Sequence, residues 1–183
     1  MICIKPYAVT LILTLCSVSL SSQDISQYST STISPDLTKN AHAVVRIDDR
    51  NITLKSVDKY EGTYHKVITI LSKKGSNHAD FRVGYKEGST KISDIRLAYY
   101  DAEGTLIKKV KSKDIEDYIS YDGMSLISDS RVKVYDIEPT QYPITVDMSW
   151  TTESSTTLSL PAWFPITHTN LSVEQSSYRV INQ

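Results

Sequence analysis

Apolar and polar residues alternate with a period of two along much of the chain, beginning near Ala41. The clearest example runs from Ile144 to Trp150, where every second residue is apolar. Successive side chains of a strand point to opposite faces of a sheet, whereas a helix repeats every ~3.6 residues. The pattern therefore predicts strands with one face on a core and the other in water.

Three alternating segments predict a meander of hairpins at the start of the domain: Ala41 to Ile47, Ile52 to Tyr60 and Thr63 to Ser72. Turns are predicted between them at Asp48 to Asn51 and at Glu61-Gly62, because Asp, Asn and Gly favour turn conformations. The third segment is apolar on both faces toward its end, which favours a central strand that is covered on both sides.

Later segments complete the expected fold. A tight turn is predicted at Asp101 to Gly104, where the glycine can adopt a positive φ. A helical turn is predicted at Ser112 to Tyr118. The last strand is predicted from Leu171 to Ile181, with a β-bulge at Gln175 to Ser177 because its apolar face switches there.

Together these segments predict an all-β fold, an antiparallel β-sandwich of about eight or nine strands spaced ~10 residues apart. The sandwich is expected to occupy residues 41–183. Residues 23–40 are rich in Ser, Thr and Gln and are expected to form a flexible or loosely docked lead-in.

Residues 1–22 have the composition of a signal peptide, with Lys5 before an apolar run that ends at Leu20. Cleavage is expected near Ser21 to Gln23, and the run is shorter than the ~20 apolar residues of a membrane span. Two alternatives are a buried N-terminal element and a lipoprotein acylated at Cys16. The sequence thus predicts export, to the periplasm or the extracellular space, without a membrane span.

Both cysteines, Cys3 and Cys16, lie in this predicted signal peptide. The mature chain is therefore expected to form no disulfide, thiolate zinc site or Cys-His pair. Removing residues 1–22 takes away Lys5 alone and changes the net charge from −1 to −2. Because charges of both signs are interspersed, the sequence predicts no nucleic-acid binding.

Motifs for metal binding and acid catalysis are weak. The four histidines do not pair at metal-ligand spacing and are expected to be scattered: His42, His65, His78 and His168. Asp48, Asp49 and Asn51 could supply oxygens to calcium, but a turn explains them better. A cluster of acids is interpreted as a solvated loop rather than a glycosidase pair: Asp114, Glu116 and Asp117. No cofactor is predicted.

Aromatic residues offer the best candidate surface. Trp150 lies on an alternating strand and is expected in the core. Trp163 and Phe164 stand between two prolines and are candidates for an exposed ligand or partner surface, together with Tyr142. The alternative for Trp163-Phe164 is a loop that plugs the sandwich.

The C-terminal third resembles a known family in four blocks: Tyr142 to Val146, the strand that continues to Trp150, Leu160 to Pro165, and Ser172 to Tyr178. Weaker blocks lie between Ala41 and Gly104, so that the resemblance runs from about Asp36 to the end. The chain resembles domain of unknown function 3857. That resemblance implies an exported β-rich accessory module of Gram-negative bacteria, which usually precedes a transglutaminase-like core and has no assigned catalytic residues.

The resemblance also implies that members continue beyond the position of Tyr178 into a core with a Cys, His and Asp triad. This chain stops at Gln183, so it is expected to be a stand-alone remnant or a truncated product, with an incomplete sandwich edge at its C-terminus.

Three functions follow as hypotheses. The first is a non-catalytic binding or scaffolding module that takes a protein or peptide partner at an exposed strand edge. The alternative is a carbohydrate-binding or surface-adhesion domain that takes a glycan at Trp163 and nearby tyrosines. The third is an enzyme whose acids are the catalysts; the sequence favours a non-enzyme.

Overall fold

The structure, a computed structural model, describes residues 26–121, 128–137 and 139–183, so the predicted signal peptide lies outside the described residues. The described chain consists mainly of strands, which confirms the all-β class. The strands are β1 (Ala43–Leu54), β2 (Tyr60–Ile70), β3 (Phe81–Lys86), β4 (Thr90–Tyr100), β5 (Leu106–Lys109), β6 (Glu116–Ile119), β7 (Ser130–Tyr135), β8 (Ile144–Ser154), β9 (Leu171–Val173) and β10 (Ser176–Asn182). The helical turns are α1 (Pro35–Thr38) and 3₁₀ turns at Thr30–Thr32, Lys73–His78 and Ser112–Asp114.

The strands form two sheets. The larger has the order β10-β1-β2-β8-β4-β5, with β9 also paired to β1, and the smaller has the order β3-β7-β6. Most pairs are antiparallel, as predicted, but β9 and β10 run parallel to β1. The prediction of a wholly antiparallel sandwich is wrong at this edge because the segment after β8 crosses the molecule and returns beside β1 in the same direction.

The predicted turn at Asp48 to Asn51 is also wrong, because β1 continues through these residues to Leu54. Of the second predicted strand, Ile52 to Tyr60, only the part to Leu54 belongs to β1, and the connection to β2 is the loop 55–59. The predicted turn at Glu61-Gly62 is wrong as well, because both residues lie inside β2 and pair with β1. The polar residues of the first predicted turn find partners within the sheet: Asp48 accepts two hydrogen bonds from Arg50, and Asp49 accepts one from Ser177. Side-chain pairing of this kind allows a turn-forming sequence to remain extended.

Two smaller predictions need correction as well. Where one bulged C-terminal strand was expected, β9 ends at Val173 and β10 begins at Ser176. The segment Ser112 to Tyr118 has its helical turn only at Ser112–Asp114 and then enters β6. The predicted positive φ of Gly104 is confirmed at 84°.

The core lies between the two sheets. The large sheet contributes buried residues from β1, β2, β4 and β8, and Phe81 of β3 enters from the small sheet with no exposed surface. The buried cluster comprises Ala43, Val45, Ile68, Ile70, Ala79, Phe81, Leu97, Tyr99, Ile144, Val146 and Met148. Ile144, Val146 and Met148 are the apolar members of the alternating segment that became β8, so the period of two predicts the core-facing side of β8 correctly.

The described part of the lead-in packs on the opposite face of the large sheet. The Tyr28 ring stacks on Tyr100 with centroids 3.9 Å apart, and its hydroxyl donates to Asp147 Oδ2 at 2.7 Å. Thr145 Oγ1 donates to the Tyr28 carbonyl at 3.1 Å. The Ser/Thr-rich composition of the lead-in does not predict these contacts. No helix among the described residues is long and apolar enough to cross a membrane.

His65 and Asp147 form an ion pair beneath Tyr28, with His65 Nε2 2.9 Å from Asp147 Oδ1. The hydrogen bond to Asp147 raises the pKa of His65 above its usual 6.5. Burial would raise the pKa of Asp147, but hydrogen bonds from His65 and Tyr28 outweigh it and lower that pKa. The contribution of His65 to stability is therefore full below pH 6.5 and is lost as the pH rises through its folded pKa.

We expect His65→Gln to lower the melting temperature more at about pH 5.5 than at about pH 8.5. The measurement is thermal unfolding of wild type and variant at both pH values. Asp147→Asn is the control, because it removes the carboxylate that raises the pKa of His65. In the Asp147→Asn background, the effect of His65→Gln on the melting temperature should therefore be independent of pH. An equal loss at both pH values in the wild-type background would contradict the assigned pKa shift.

Candidate ligand-binding cleft

The small sheet covers only part of the inner face of the large sheet. Beyond Phe81 that face carries a row of side chains in ladder register: Tyr178 of β10 pairs with Arg50 of β1, Arg50 with Tyr64 of β2, and Tyr64 with Trp150 of β8. Residues that are cross-strand partners lie on the same face about 5 Å apart. The row thus crosses four strands in a line.

Two of the aromatic side chains of this row, Tyr64 and Trp150, stack on each other. The rings of Tyr64 and Trp150 are nearly parallel, with centroids 4.8 Å apart and an interplanar angle of 3°. Phe81 meets the Trp150 ring edge-on at 5.6 Å and 78°. Gly62 leaves room for Tyr64, because a Cβ at Gly62 would lie 2.8 Å from that ring. Burial raises the pKa of Tyr64 to about 12, so its hydroxyl is neutral near pH 7.

β4 bends opposite Trp150. The ladder between β4 and β8 shifts register between Ser93 and Arg96, so that two residues of β4 face Trp150. Asp94, one of these two, has a φ of 52°. Such an extra residue bends a strand locally, and bulges of this kind often adjoin functional sites.

Asp48 and Arg50 form a closed pair beside the aromatic row. Arg50 Nε and Nη2 donate to the two oxygens of Asp48, each at 3.0 Å. Its remaining Nη1 donates to the Ala162 carbonyl at 2.9 Å. Arg50 therefore has all three guanidinium nitrogens bonded within the protein and ties the loop 161–165 to β1.

Lys66 lies next to this pair, opposite both Asp48 on β1 and Met148 on β8. Burial is the main cause that lowers its pKa, and the positive charge of Arg50 lowers it further, while Asp48 opposes the shift. Among the described residues Lys66 Nζ forms no ion pair, and both Asp48 oxygens accept hydrogen bonds from Arg50.

These groups line a cleft of about 360 Å³ between the two sheets. The large sheet supplies Asp48, Arg50, Tyr64, Lys66, Met148 and Trp150; β3 and the turn before it supply Asn77, His78, Asp80, Phe81, Arg82 and Val83. The volume and the mixture of aromatic walls with a few polar groups are typical of small-ligand sites.

The predicted surface residues fall in two places. Trp163 is 40% exposed, stacks on Tyr178 at 6.1 Å, and donates from Nε1 to Ser176 Oγ at 3.0 Å. Phe164 beside it is 66% exposed. Tyr142 is half-buried, packs against the core cluster, and lines a separate cavity with Lys73 and Asp136. The structure thus brings Trp163 against Tyr178 of the aromatic row, leaves Phe164 exposed beside it, and gives Tyr142 other neighbours.

The histidines are less scattered than their spacing indicates. His78 and His168 meet edge-on with ring centroids 5.3 Å apart. Burial lowers the pKa of His78, and the nearby positive charges of Lys66, His168 and His42 add to that effect. No group of three or more His, Cys, Asp or Glu side chains that could hold a metal ion occurs in the part of the chain that the structure describes.

Two of the three clustered acids, Glu116 and Asp117, have side-chain partners, and Glu116 accepts a hydrogen bond from the Tyr118 hydroxyl. Asp117 accepts from Arg131 Nε at 3.0 Å, from Lys133 Nζ at 2.7 Å and from the Tyr85 hydroxyl at 2.7 Å. Asp48 and Asp49 bond to Arg50 and Ser177. These carboxylates stabilise sheet surfaces through their partners. Sequence reasoning missed Tyr64 and Lys66, whose only signal was their place on the alternating segment that became β2.

The fold and cleft define the chain as a β-sandwich domain with an open, aromatic-lined inner face. It belongs to the family described as Domain of Unknown Function with solved-structure structure (DUF3857), whose family model matches residues 57–182. This match confirms the resemblance inferred from the C-terminal blocks, although it begins in the loop after β1 rather than near Asp36.

Among solved structures, the chain is similar to that of a "putative protease" from Parabacteroides distasonis, with 12% identity and a TM-score of 0.54. The alignment covers 68% of this chain and 24% of that one. Another is Legionella pneumophila aminopeptidase A in complex with aspartic acid, with 15% identity, a TM-score of 0.28, and 60% and 10% of the two chains covered. At 12% identity, the similarity to the Parabacteroides distasonis structure shows the fold alone. No curated protein sequence matches the chain.

Proposed function

We propose that this chain is an exported, non-catalytic binding module that takes an extended polypeptide segment of a partner protein along the edge strand β10. The observation that carries this proposal is the geometry of that edge. β10 is the last strand of the large sheet, and it pairs with β1 on one side only among the described residues.

The side chains of β10 favour a partner. Val180 and Ile181 are 47% and 50% exposed, so an apolar surface continues beyond the sheet. An unpaired edge offers a row of backbone N–H and C=O groups to a further strand, and strand addition is a common mode of peptide recognition. Tyr178 of the same strand stacks on Trp163, and the two rings add apolar contact area.

An array of random 12-residue peptides probed with the labelled mature domain tests this proposal. We expect wild type to bind a subset of extended, apolar peptides, and Ile181→Lys to lose most of that signal, because a lysine on an edge opposes strand addition. Ile107→Lys is the matched control: Ile107 is 52% exposed on β5, the opposite edge of the same sheet. Equal loss in both variants, or no peptide bound by wild type, would contradict the proposal.

A glycan-binding or adhesion role is the second candidate, and the stack of Trp163 on Tyr178 favours it. Exposed aromatic rings offer flat faces to sugar rings, and Trp163 keeps 40% of its surface exposed. On a glycan array, this candidate requires wild-type signals that disappear with Trp163→Ala and persist with Ile181→Lys. Glycan signals that survive Trp163→Ala would exclude it.

A further inference from the structure

The edge strand β5 and the turn that follows it form the most basic segment of the chain. Residues 106–113, called here the basic segment, contain four lysines and no acidic residue: Lys108, Lys109, Lys111 and Lys113. No other part of the chain has four Lys or Arg residues within eight positions. The formal net charge of the whole chain is −1 and the basic segment contributes +4, so the rest of the chain carries −5. The domain is therefore polarised, with one basic segment on an acidic body.

Three of these lysines have their charge available for a partner. Lys109, Lys111 and Lys113 are exposed, and none of their side chains forms a hydrogen bond or an ion pair with another described residue. Lys108 differs, since its Nζ donates to the Tyr135 hydroxyl at 2.7 Å. Three cations without a partner in the described part of the chain thus lie within five positions.

Apolar side chains are exposed beside the lysines. Leu106 and Ile107 begin β5 and are 44% and 52% exposed. Val110 and Ile115 pack against the core cluster, so the backbone of the basic segment is anchored to the domain. Adjacent exposed apolar side chains mark surfaces that bind proteins or membranes. The basic segment therefore has the composition of an interaction surface, with aliphatic groups next to several cations.

The geometry of β5 opposes the addition of a further strand. The strand has only four residues, and its ladder with β4 shifts register between Tyr99 and Tyr100. Short length, irregular pairing and lysines on an edge are features by which proteins prevent strand addition. A membrane surface makes no such demand on the backbone. Lysines with long stems reach its phosphate groups, while aliphatic side chains enter the apolar layer below them.

We infer that the basic segment binds the surface of a bilayer that contains anionic phospholipids. Lys109, Lys111 and Lys113 contact the phosphate groups, and Leu106 and Ile107 enter the boundary between headgroups and acyl chains. This inference goes beyond the polypeptide binding proposed at β10. Because β5 and β10 are opposite edges of the same sheet, either binding surface can be lost alone.

Sedimentation of the mature chain with phospholipid vesicles tests the inference. Vesicles of phosphatidylcholine alone are compared with vesicles that also contain about 30% phosphatidylglycerol. We expect wild type to bind the anionic vesicles about tenfold more tightly or better, because each lysine near the surface adds to the attraction. This preference should fall steeply in about 0.5 M salt, which screens exposed charges.

The triple variant Lys109→Gln, Lys111→Gln, Lys113→Gln is expected to abolish the preference for anionic vesicles. The control removes the same net charge by replacing three exposed lysines elsewhere with Gln: Lys59, Lys73 and Lys74. It should keep the preference, because charges further than about 10 Å from the membrane are largely screened. Ile107→Ser is expected to weaken binding to anionic vesicles several-fold, since it removes an inserted aliphatic group.

The inference is overturned if wild type binds both kinds of vesicle alike, or if the two triple variants lose the preference equally. Binding of wild type to poly-L-glutamate but not to vesicles would also overturn it, and would assign the basic segment to an acidic polypeptide. These outcomes leave the β10 proposal standing, because the peptide array reads the effect of Ile181→Lys on the opposite edge.

Discussion

Phe81→Ala is expected to lower the free energy of unfolding by about 3–5 kcal/mol, the largest effect of any substitution considered for this domain. Phe81 is fully buried and brings the small sheet onto the large one, where it also meets the Trp150 ring edge-on at 5.6 Å. Its removal would leave a cavity at the junction of both sheets and remove one wall of the cleft. Urea unfolding followed by far-UV circular dichroism measures the loss.

The chain offers a matched control, since its only other phenylalanine is Phe164. Phe164 is 66% exposed on the loop after β8, so Phe164→Ala is expected to change stability by no more than about 0.5 kcal/mol. Equal losses for the two variants would show that the two sheets do not pack through Phe81.

Gly75→Ala is expected to destabilise the domain by about 3 kcal/mol, which corresponds to a fall of roughly 6–12 °C in melting temperature. Gly75 is buried in the 3₁₀ turn Lys73–His78, and a Cβ there would lie 2.5 Å from the His42 carbonyl oxygen and 3.0 Å from its carbon. Because these atoms belong to the backbone, the clash can be relieved only if the turn moves away from the start of β1.

Gly84→Ala is the control for this prediction. A Cβ at Gly84 would meet only the Arg131 carbonyl oxygen, at an ordinary 3.9 Å. Alanine also loses less conformational entropy than glycine in a strand, so the variant should be neutral or slightly more stable. A thermal melt that ranks Gly84→Ala below Gly75→Ala would rule out the close packing of the turn on His42.

Part of the candidate site follows from the sequence. The prolines on both sides made Trp163 and Phe164 candidates for exposure, with a loop that plugs the sandwich as the alternative, and the structure leaves them 40% and 66% exposed. The partners of Trp163, which are Tyr178 and Ser176 on β10, were not predictable, since they depend on where the C-terminal strand docks. Tyr142 was grouped with Trp163 and Phe164 only because it is aromatic, and in the structure it lines a different cavity.

The sequence by itself determined the all-β class, the family and which face of β8 points to the core. Each of these three features depends on local alternation or on short blocks of residues. Such local patterns are the same whatever the order in which the strands pair. It placed the first turn wrongly, because Asp48 and Asn51 favour turns locally while pairing with β2 and β10 keeps them extended.

Only the tertiary structure decided the parallel docking of β9 and β10, the packing of Tyr28 on the large sheet, and the row that joins Tyr178, Arg50, Tyr64 and Trp150. These residues are far apart in sequence, and their proximity is set by strand order and register. A local pattern gives the face on which a side chain lies, but only the pairing of distant strands determines its neighbours on that face.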